Sequence, residues 1–217
     1  MWIWQKASTG ASSLQPLDQN PENARYNYTT KKPLPSNTSP IMPKLSIITI
    51  TYQAEAYIER TLQSVFEQGC AEEIDYIVVD GASKDRTLEI IESNKSQINQ
   101  LISERDKGIY DALNKGIRYA TGDVVGFLHA DDVYADTRVL ERIAAAFADP
   151  SVTAVYGNLQ YVRKQDINSV IRQWRAGPYS RRTLGWGWMP PHPSLYVRRE
   201  AYARIGGFDT QYRIAAD

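Results

Sequence analysis

The stretch Val124-Val125-Gly126-Phe127-Leu128-His129-Ala130-Asp131-Asp132 decides the reading of this chain. An apolar run without polar alternation suits a strand buried on both faces of a sheet. Two adjacent carboxylates follow it at once. Side by side at the end of such a strand they repel each other, so folding alone does not favour them. One aspartate would serve as the cap of a following helix; a pair asks for a further reason. A divalent cation removes the repulsion, and oxygen ligands suit Mg2+ or Mn2+. His129 is read as a hydrogen-bonded core residue rather than a ligand.

Upstream of this stretch, strand and helix patterns alternate. Leu45–Thr51 is a β-branched run and reads as a first buried strand, followed by a loop at Tyr52 and Gln53. From Glu55 to Gln68 the apolar positions Ile58, Leu62, Val65 and Phe66 share one helical face, and Gly69 closes the helix. Ile74–Asp80 is a second strand ending in the turn Asp80-Gly81-Ala82-Ser83, where glycine allows close approach of a ligand. A helix over 85–93, a short strand over 98–103, a charged loop over 104–108 and a helix over 109–120 lead back to the opening stretch. A further helix over 137–148 ends at Asp149-Pro150. This alternation predicts an α/β domain with a mostly parallel, Rossmann-like sheet flanked by helices. Parallel strands place their carboxyl ends on one edge, where open α/β sheets bind ligands. Tyr52, Asp80 and the Asp131–Asp132 pair therefore converge on one crevice.

Beyond Pro150 the texture changes. A strand is expected over 152–156, and Leu159–Arg163 and Val170–Arg175 read as an antiparallel hairpin. Residues 177–193 form an irregular loop rich in Gly, Pro and Trp, carrying Trp186, Trp188 and His192. A strand over 194–197 and a helix over 199–205 precede Gly206-Gly207-Phe208-Asp209. The sequence stops at Asp217 without a closing element, so this half reads as truncated. Residues 1–43 differ from both halves: Pro16, Pro21, Pro33, Pro35, Pro40 and Pro43 interrupt a Ser/Thr/Asn/Gln-rich run, the composition of a disordered or loosely attached arm. Met42 is a candidate natural start.

Composition bounds the rest. The 217 residues fit one domain with extensions, and Lys+Arg equals Asp+Glu at 25 each, which argues against a general nucleic-acid binder. The single cysteine, Cys70, excludes an internal disulfide and a cysteine-based zinc cluster, and a reducing cytoplasmic setting is the simplest reading. No stretch approaches the roughly 20 apolar residues of a membrane span.

Four segments in order carry a resemblance: Ser46–Tyr52, Val78–Asp85, Asp106–Gly116 and Phe127–Asp132. Together they resemble a family 2 glycosyltransferase, an inverting enzyme on the GT-A fold that uses a nucleotide-sugar donor, similar to bacterial members that build surface polysaccharides. The resemblance covers about Lys44 to Asp217 and implies a nucleotide-sugar-binding half over 44–150 and an acceptor-side half over 151–217. It implies a UDP-sugar donor, Mn2+ or Mg2+ as cofactor, and a saccharide or lipid-linked saccharide acceptor. A lipid-linked acceptor would place the protein at the inner face of the plasma membrane as a peripheral partner. His129 stands where many members carry a first aspartate, so metal binding rests on Asp131 and Asp132.

The resemblance also distributes roles. Asp80 could cap its turn or accept the ring N–H of a uracil or guanine; the family match favours base recognition. Thr51 and Tyr52 are expected in the donor pocket, with the Tyr52 ring stacked on the base. Arg105, Lys107 and Lys115 form either a solvated face or, through Lys107 and the helix start behind it, a diphosphate contact. Asp111 and Asn114, three apart on one helix, are expected to face the donor; a polar surface stripe is the alternative. Trp188 and His192 are placed on the acceptor side. Asp217, after Gly-Gly-Phe-Asp and a short spacer, matches the family's general base. Two rivals stand beside this reading: a nucleotide-sugar-binding fragment without turnover, and a nucleotidyltransferase. The latter would want a Gly-rich basic loop after the first strand, which Thr51–Glu55 does not supply.

Overall fold

The structure, a computed structural model, describes residues 2–5 (as backbone), 42–70 and 73–212. A six-stranded sheet forms its centre. β2 (Leu45–Thr51), β3 (Asp75–Asp80), β4 (Gln100–Ser103) and β5 (Val124–Phe127) run parallel in the order β4-β3-β2-β5. β10 (Tyr196–Arg198) adds antiparallel to β5, and β7 (Ala154–Val155) pairs with β10 at the edge. The two halves of the sequence thus share one sheet. The expected strands and helices form within a few residues of their predicted bounds.

Side-chain alternation splits the core into two layers, as period-2 geometry requires. Leu45, Ile47, Tyr76 and Val78 face one cluster, with α1 (Ile58–Phe66) and α4 (Val139–Ala146). Ile48, Ile50, Ile77 and Val79 face the other, with α3 (Ile109–Tyr119) and α6 (Arg199–Ile205). α2 (Thr87–Ser93) sends Ile91 into the first cluster. Helix ends are tied locally. Gln68 accepts the Leu140 N–H through Oε1 and donates through Nε2 to the Asp136 carbonyl, so the end of α1 caps the start of α4.

A second sheet is built from β6 (Val133–Tyr134), β1 (Trp2–Gln5), β8 (Asn158–Val162) and β9 (Val170–Trp174), in that order. β8 (Asn158–Val162) and β9 (Val170–Trp174) are the expected hairpin. β6 (Val133–Tyr134) follows the acidic pair directly. β1 (Trp2–Gln5) was not expected. It lies within the arm read as loosely attached, yet it pairs parallel to β6 and antiparallel to β8. Four residues at the chain start carry too little periodicity to announce a strand whose partners lie more than a hundred residues away. The remainder of the arm, residues 6–41, lies outside the described residues, as does Asp217. α5 (Arg181–Leu184) is a short turn inside the irregular loop. Among the described residues, no helix is long and apolar enough to cross a membrane.

Candidate active site

A cavity of about 850 Å3 opens at the carboxyl edge of the parallel strands. Its walls come from the loops after β2, β3, β4 and β5 and from the start of α3. The switch in strand order falls between β2 and β5, where open α/β sheets bind ligands. Tyr52, Gly81 and Asp131 all line it, so the loops expected to converge do so.

The loops after β2 and β3 are laced together. Gln53 N–H donates to Ser83 Oγ, Ala54 N–H to Thr87 Oγ1 and Glu55 N–H to Asp85 Oδ2, while Glu55 accepts from the Arg86 N–H. Gln53 and Ala82, with φ of 49° and 61°, are the non-glycine residues in the left-handed region among the described residues, and both line the cavity. Asp80 holds this junction. Its carboxylate is fully buried and accepts from Ser83 N–H, from Ser83 Oγ at 2.5 Å and from Ser103 Oγ at 2.7 Å. Asp80 does not line the cavity. Its geometry ties the turn after β3 to the end of β4.

Tyr52 is 61 % exposed, its ring presented at the mouth. Thr51 is buried at the cavity wall, and its Oγ1 has no hydrogen-bond partner among the described residues. Both line the cavity.

The loop after β4 is organised by Lys115. This lysine is buried rather than part of a solvated face, and its Nζ reaches Asp106 Oδ1 at 2.6 Å, Glu104 at 3.0 Å, Asp111 at 3.6 Å and the Arg105 carbonyl at 3.0 Å. Burial pulls its pKa down, but the hydrogen bonds to Asp106 and Glu104 outweigh that, and the net shift is upward. Asp111 accepts the Lys107 N–H at 3.0 Å; that bond, aided by Lys115 against partial burial, holds its carboxyl below the usual range. Asp111 thus ties the first turn of α3 back to the loop before it, where Gly108 has φ of 128°, a conformation that favours glycine. Asn114 forms a reciprocal pair with the Phe208 backbone, donating to its carbonyl and accepting its N–H at 2.8 Å each. Neither Asp111, Asn114 nor Lys107 lines the cavity. Arg105, Asp106 and Lys84 do. The reading from sequence passed over Asp106 and Lys84. The signal for Asp106 was its position at the head of the Asp106–Gly116 segment, after a short strand.

The loop after β5 carries the acidic pair. Thr61 Oγ1, on α1, bonds the carbonyls of both Ala130 and Asp132 at 2.8 Å. Asp132 N–H donates to the His129 carbonyl, closing a tight turn. Asp131 lines the cavity, while the Asp132 side chain is buried behind it. His129 also lines the cavity, half-buried, and its ring stacks on His192 at 6.0 Å. His192 in turn stacks on Phe127 at 5.9 Å and meets Phe208 edge-on. Trp188 packs on Tyr156 and Tyr179, and its indole N–H donates to the Ala176 carbonyl. With Arg182, Thr183 and the exposed Trp186 it lines a second cavity of about 450 Å3.

Among the described residues, no three His, Cys, Asp or Glu cluster as a complete metal site. The residues nevertheless fit Mg2+ or Mn2+, which bind through one or two carboxylates and complete their shell with water and substrate phosphate. Asp131 at the cavity wall meets that requirement.

The sequence profile described as Glycosyl transferase family 2 matches residues 46–205. The chain belongs to this family. An uncharacterized glycosyltransferase of Mycobacterium tuberculosis is 30% identical over 179 residues, covering 81% of this chain and 66% of the relative. A PGL/p-HBAD biosynthesis glycosyltransferase of Mycobacterium bovis is 31% identical, with 81% and 67% covered. Among solved structures, a mannosyltransferase from Pyrobaculum calidifontis in complex with GDP-Man and Mn2+ matches with TM-score 0.60 and 26% identity, over 83% of this chain and 52% of that one. TarS of S. aureus in complex with UDP matches with TM-score 0.60 at 23% identity, over 80% of this chain and 52% of that one, a likeness of fold. The fold is GT-A, a mostly parallel sheet flanked by helices with an additional antiparallel hairpin. The chain spans about two thirds of these curated relatives and about half of these solved structures.

Proposed function

We propose that the protein transfers a sugar from a nucleoside-diphosphate sugar, with uridine as the base, to a hydroxyl of a saccharide or lipid-linked saccharide, with inversion, in the assembly of a surface glycan. The observation that carries this reading is the single cavity in which an exposed tyrosine, two acidic residues and the start of a helix meet. Tyr52 offers a stacking face to a base. Arg105 and Lys84 supply positive charge along the wall, and the N-terminus of α3 favours an anion. Asp80, Asp111 and Asn114 act as positioning residues for the loops around the donor. The GDP-Man and Mn2+ bound by the Pyrobaculum relative support a nucleotide-sugar donor and a divalent cation for this chain.

Asp131, backed by Asp132, would hold the cation, which as a Lewis acid supplies neutralisation of charge on a departing diphosphate. The acceptor lies on the side of His192 and Trp188. In this reading its hydroxyl meets the anomeric carbon from the face opposite the diphosphate, and Asp217 takes the proton. Asn114 fixes the Phe208 backbone against α3, so the segment leading toward Asp217 starts from an anchored point.

The test is a calorimetric titration of the full chain with UDP, with and without Mn2+, beside an assay of donor turnover. Saturable UDP binding tightened by Mn2+, with turnover abolished by EDTA, is expected. Failure to bind any nucleoside diphosphate overturns the reading. Full turnover in excess EDTA overturns the metal's part in it.

A further inference from the structure

We infer that Asp106, through Oδ2, reads the base of the donor and selects uridine over guanosine. This rests on the cavity being the donor site, and it moves base selection from the residue the sequence favoured, Asp80, to one on a different strand's loop.

Asp80 is already engaged. Three bonds from Ser83 and Ser103 occupy its carboxylate, which has no exposed surface. Asp106 is the opposite case. Lys115 holds Oδ1 at 2.6 Å, and no donor among the described residues reaches Oδ2. That oxygen sits at the cavity wall beside Gly81 and Tyr52. A Cβ built on Gly81 would lie 2.9 Å from Asp106 Oδ2 and 3.3 Å from Tyr52 Cδ2. The carboxylate therefore fills the space that a side chain at position 81 would take, directly after β3. A base lying on the Tyr52 ring turns its edge toward that space.

The number of accepting oxygens then discriminates. Guanine offers two adjacent donors, its ring N–H and its amino group, and suits a carboxylate with both oxygens free. Uracil offers one ring N–H between two carbonyls, and suits a single oxygen. Lys115 leaves one oxygen. Cytosine would turn a ring lone pair toward it and be repelled. Lys115 also fixes the rotamer, so the oxygen is placed before the base arrives.

Binding constants of the full chain with Mn2+ test this, using UDP, GDP, CDP and the N3-methyl analogue of UDP as probes. The unmodified protein should bind UDP about ten- to a hundredfold more tightly than N3-methyl-UDP, since the analogue lacks the proton that a charged acceptor needs. GDP should be weaker than UDP. In Asp106→Asn, Lys115 holds the amide oxygen and turns the NH2 toward the base, so affinity for UDP should fall while affinity for CDP rises relative to it. Equal binding of UDP and its N3-methyl analogue overturns the assignment without requiring any variant. So does preference for GDP, or a UDP-to-CDP ratio unchanged in a folded Asp106→Asn. No binding by any of the four probes overturns the donor-site reading itself, and this assignment with it.

Discussion

Lys115→Met is the perturbation that best separates the structure of this site from a generic basic patch. The substitution keeps the length and apolar stem of the side chain and removes its charge. Lys115 is 7 % exposed at the side chain and Asp106 14 %, so their 2.6 Å pair is largely desolvated. Glu104 is 60 % exposed, its pairing is screened, and it adds little. Breaking a buried pair by removing one partner costs about 3–5 kcal/mol, because the other charge stays buried and uncompensated. The partial exposure of Asp106 and Asp111 favours the low end, about 3 kcal/mol. In a protein of this size that lowers the midpoint of thermal unfolding by about 6–12 °C. The pH dependence has a definite sign. Lys115 titrates above its ordinary 10.5, so its contribution is complete at neutral pH and is lost only as pH rises through that shifted value. Asp111 titrates below its ordinary 3.8, so its contribution is present above that value and lost as pH falls beneath it. The gap between wild type and variant should therefore narrow as pH falls beneath the lowered value of Asp111, as that carboxylate loses the charge that Lys115 compensates. Urea unfolding followed by tryptophan fluorescence reads both quantities. A penalty below about 1 kcal/mol near neutral pH, or one that grows as pH falls, would refute the buried pairing as the organiser of this loop.

Three further outcomes follow from the geometry. Tyr52→Ala should weaken UDP binding by about 5- to 150-fold, the loss of about 1–3 kcal/mol of stacking, while its 61 % exposure leaves the unfolding midpoint nearly unchanged; calorimetry and a thermal melt check the two halves. In Asp131→Asn, the ratio of UDP affinities with and without Mn2+ should fall to unity, and an undiminished ratio would remove Asp131 from the metal's ligands. Gly126→Ala places a methyl 2.1 Å from Cε1 of the fully buried Tyr196, across the pair that joins β5 to β10, and should cost about 1–3 kcal/mol or more in chemical unfolding.

The strands and helices of the main sheet were legible because burial on two faces leaves a plain mark. Leu45–Thr51 is apolar or β-branched at every position but Ser46, and it is buried throughout. The convergence of Tyr52 and Asp131 was legible too, since parallel strands leave their carboxyl ends together. Which polar atoms face the cavity was not. Asp80 ends β3 and Asp106 follows β4, and nothing local tells which carboxylate Ser83 and Ser103 will occupy and which one Lys115 will leave half free. Asp111 and Asn114 do share a helical face, but that face meets a backbone N–H and the Phe208 peptide instead of the cavity. Lys115 read as a surface charge because its three acidic neighbours come from the preceding loop and the first turn of its own helix, and their joint burial is a tertiary property. β1 was hidden for a related reason: its pairing partners are supplied entirely by distant segments.

The polar groups around the cavity fall into two sets, and energetics explains the division. Gln53 and Ala82 hold left-handed backbone conformations, each at a cost of about 1–3 kcal/mol. The four bonds that lace residues 53–55 to 83–87, at about 0.5–1.5 kcal/mol each, offset that cost. Asp80 adds three more at the base of the same junction. Such groups are saturated and can offer a ligand little; removing one should loosen the loop before it weakens any direct contact. Thr51 Oγ1 and Asp106 Oδ2 form the other set, at the cavity wall and short of a partner among the described residues. Thr51 Oγ1, buried without a partner among the described residues, costs free energy in the empty protein, and a ligand that satisfies it recovers that cost on binding. Affinity should therefore track the second set and stability the first. Substituting Ser83 with alanine would move the unfolding midpoint before it changed base preference, whereas substituting Asp106 with asparagine would change which base is preferred.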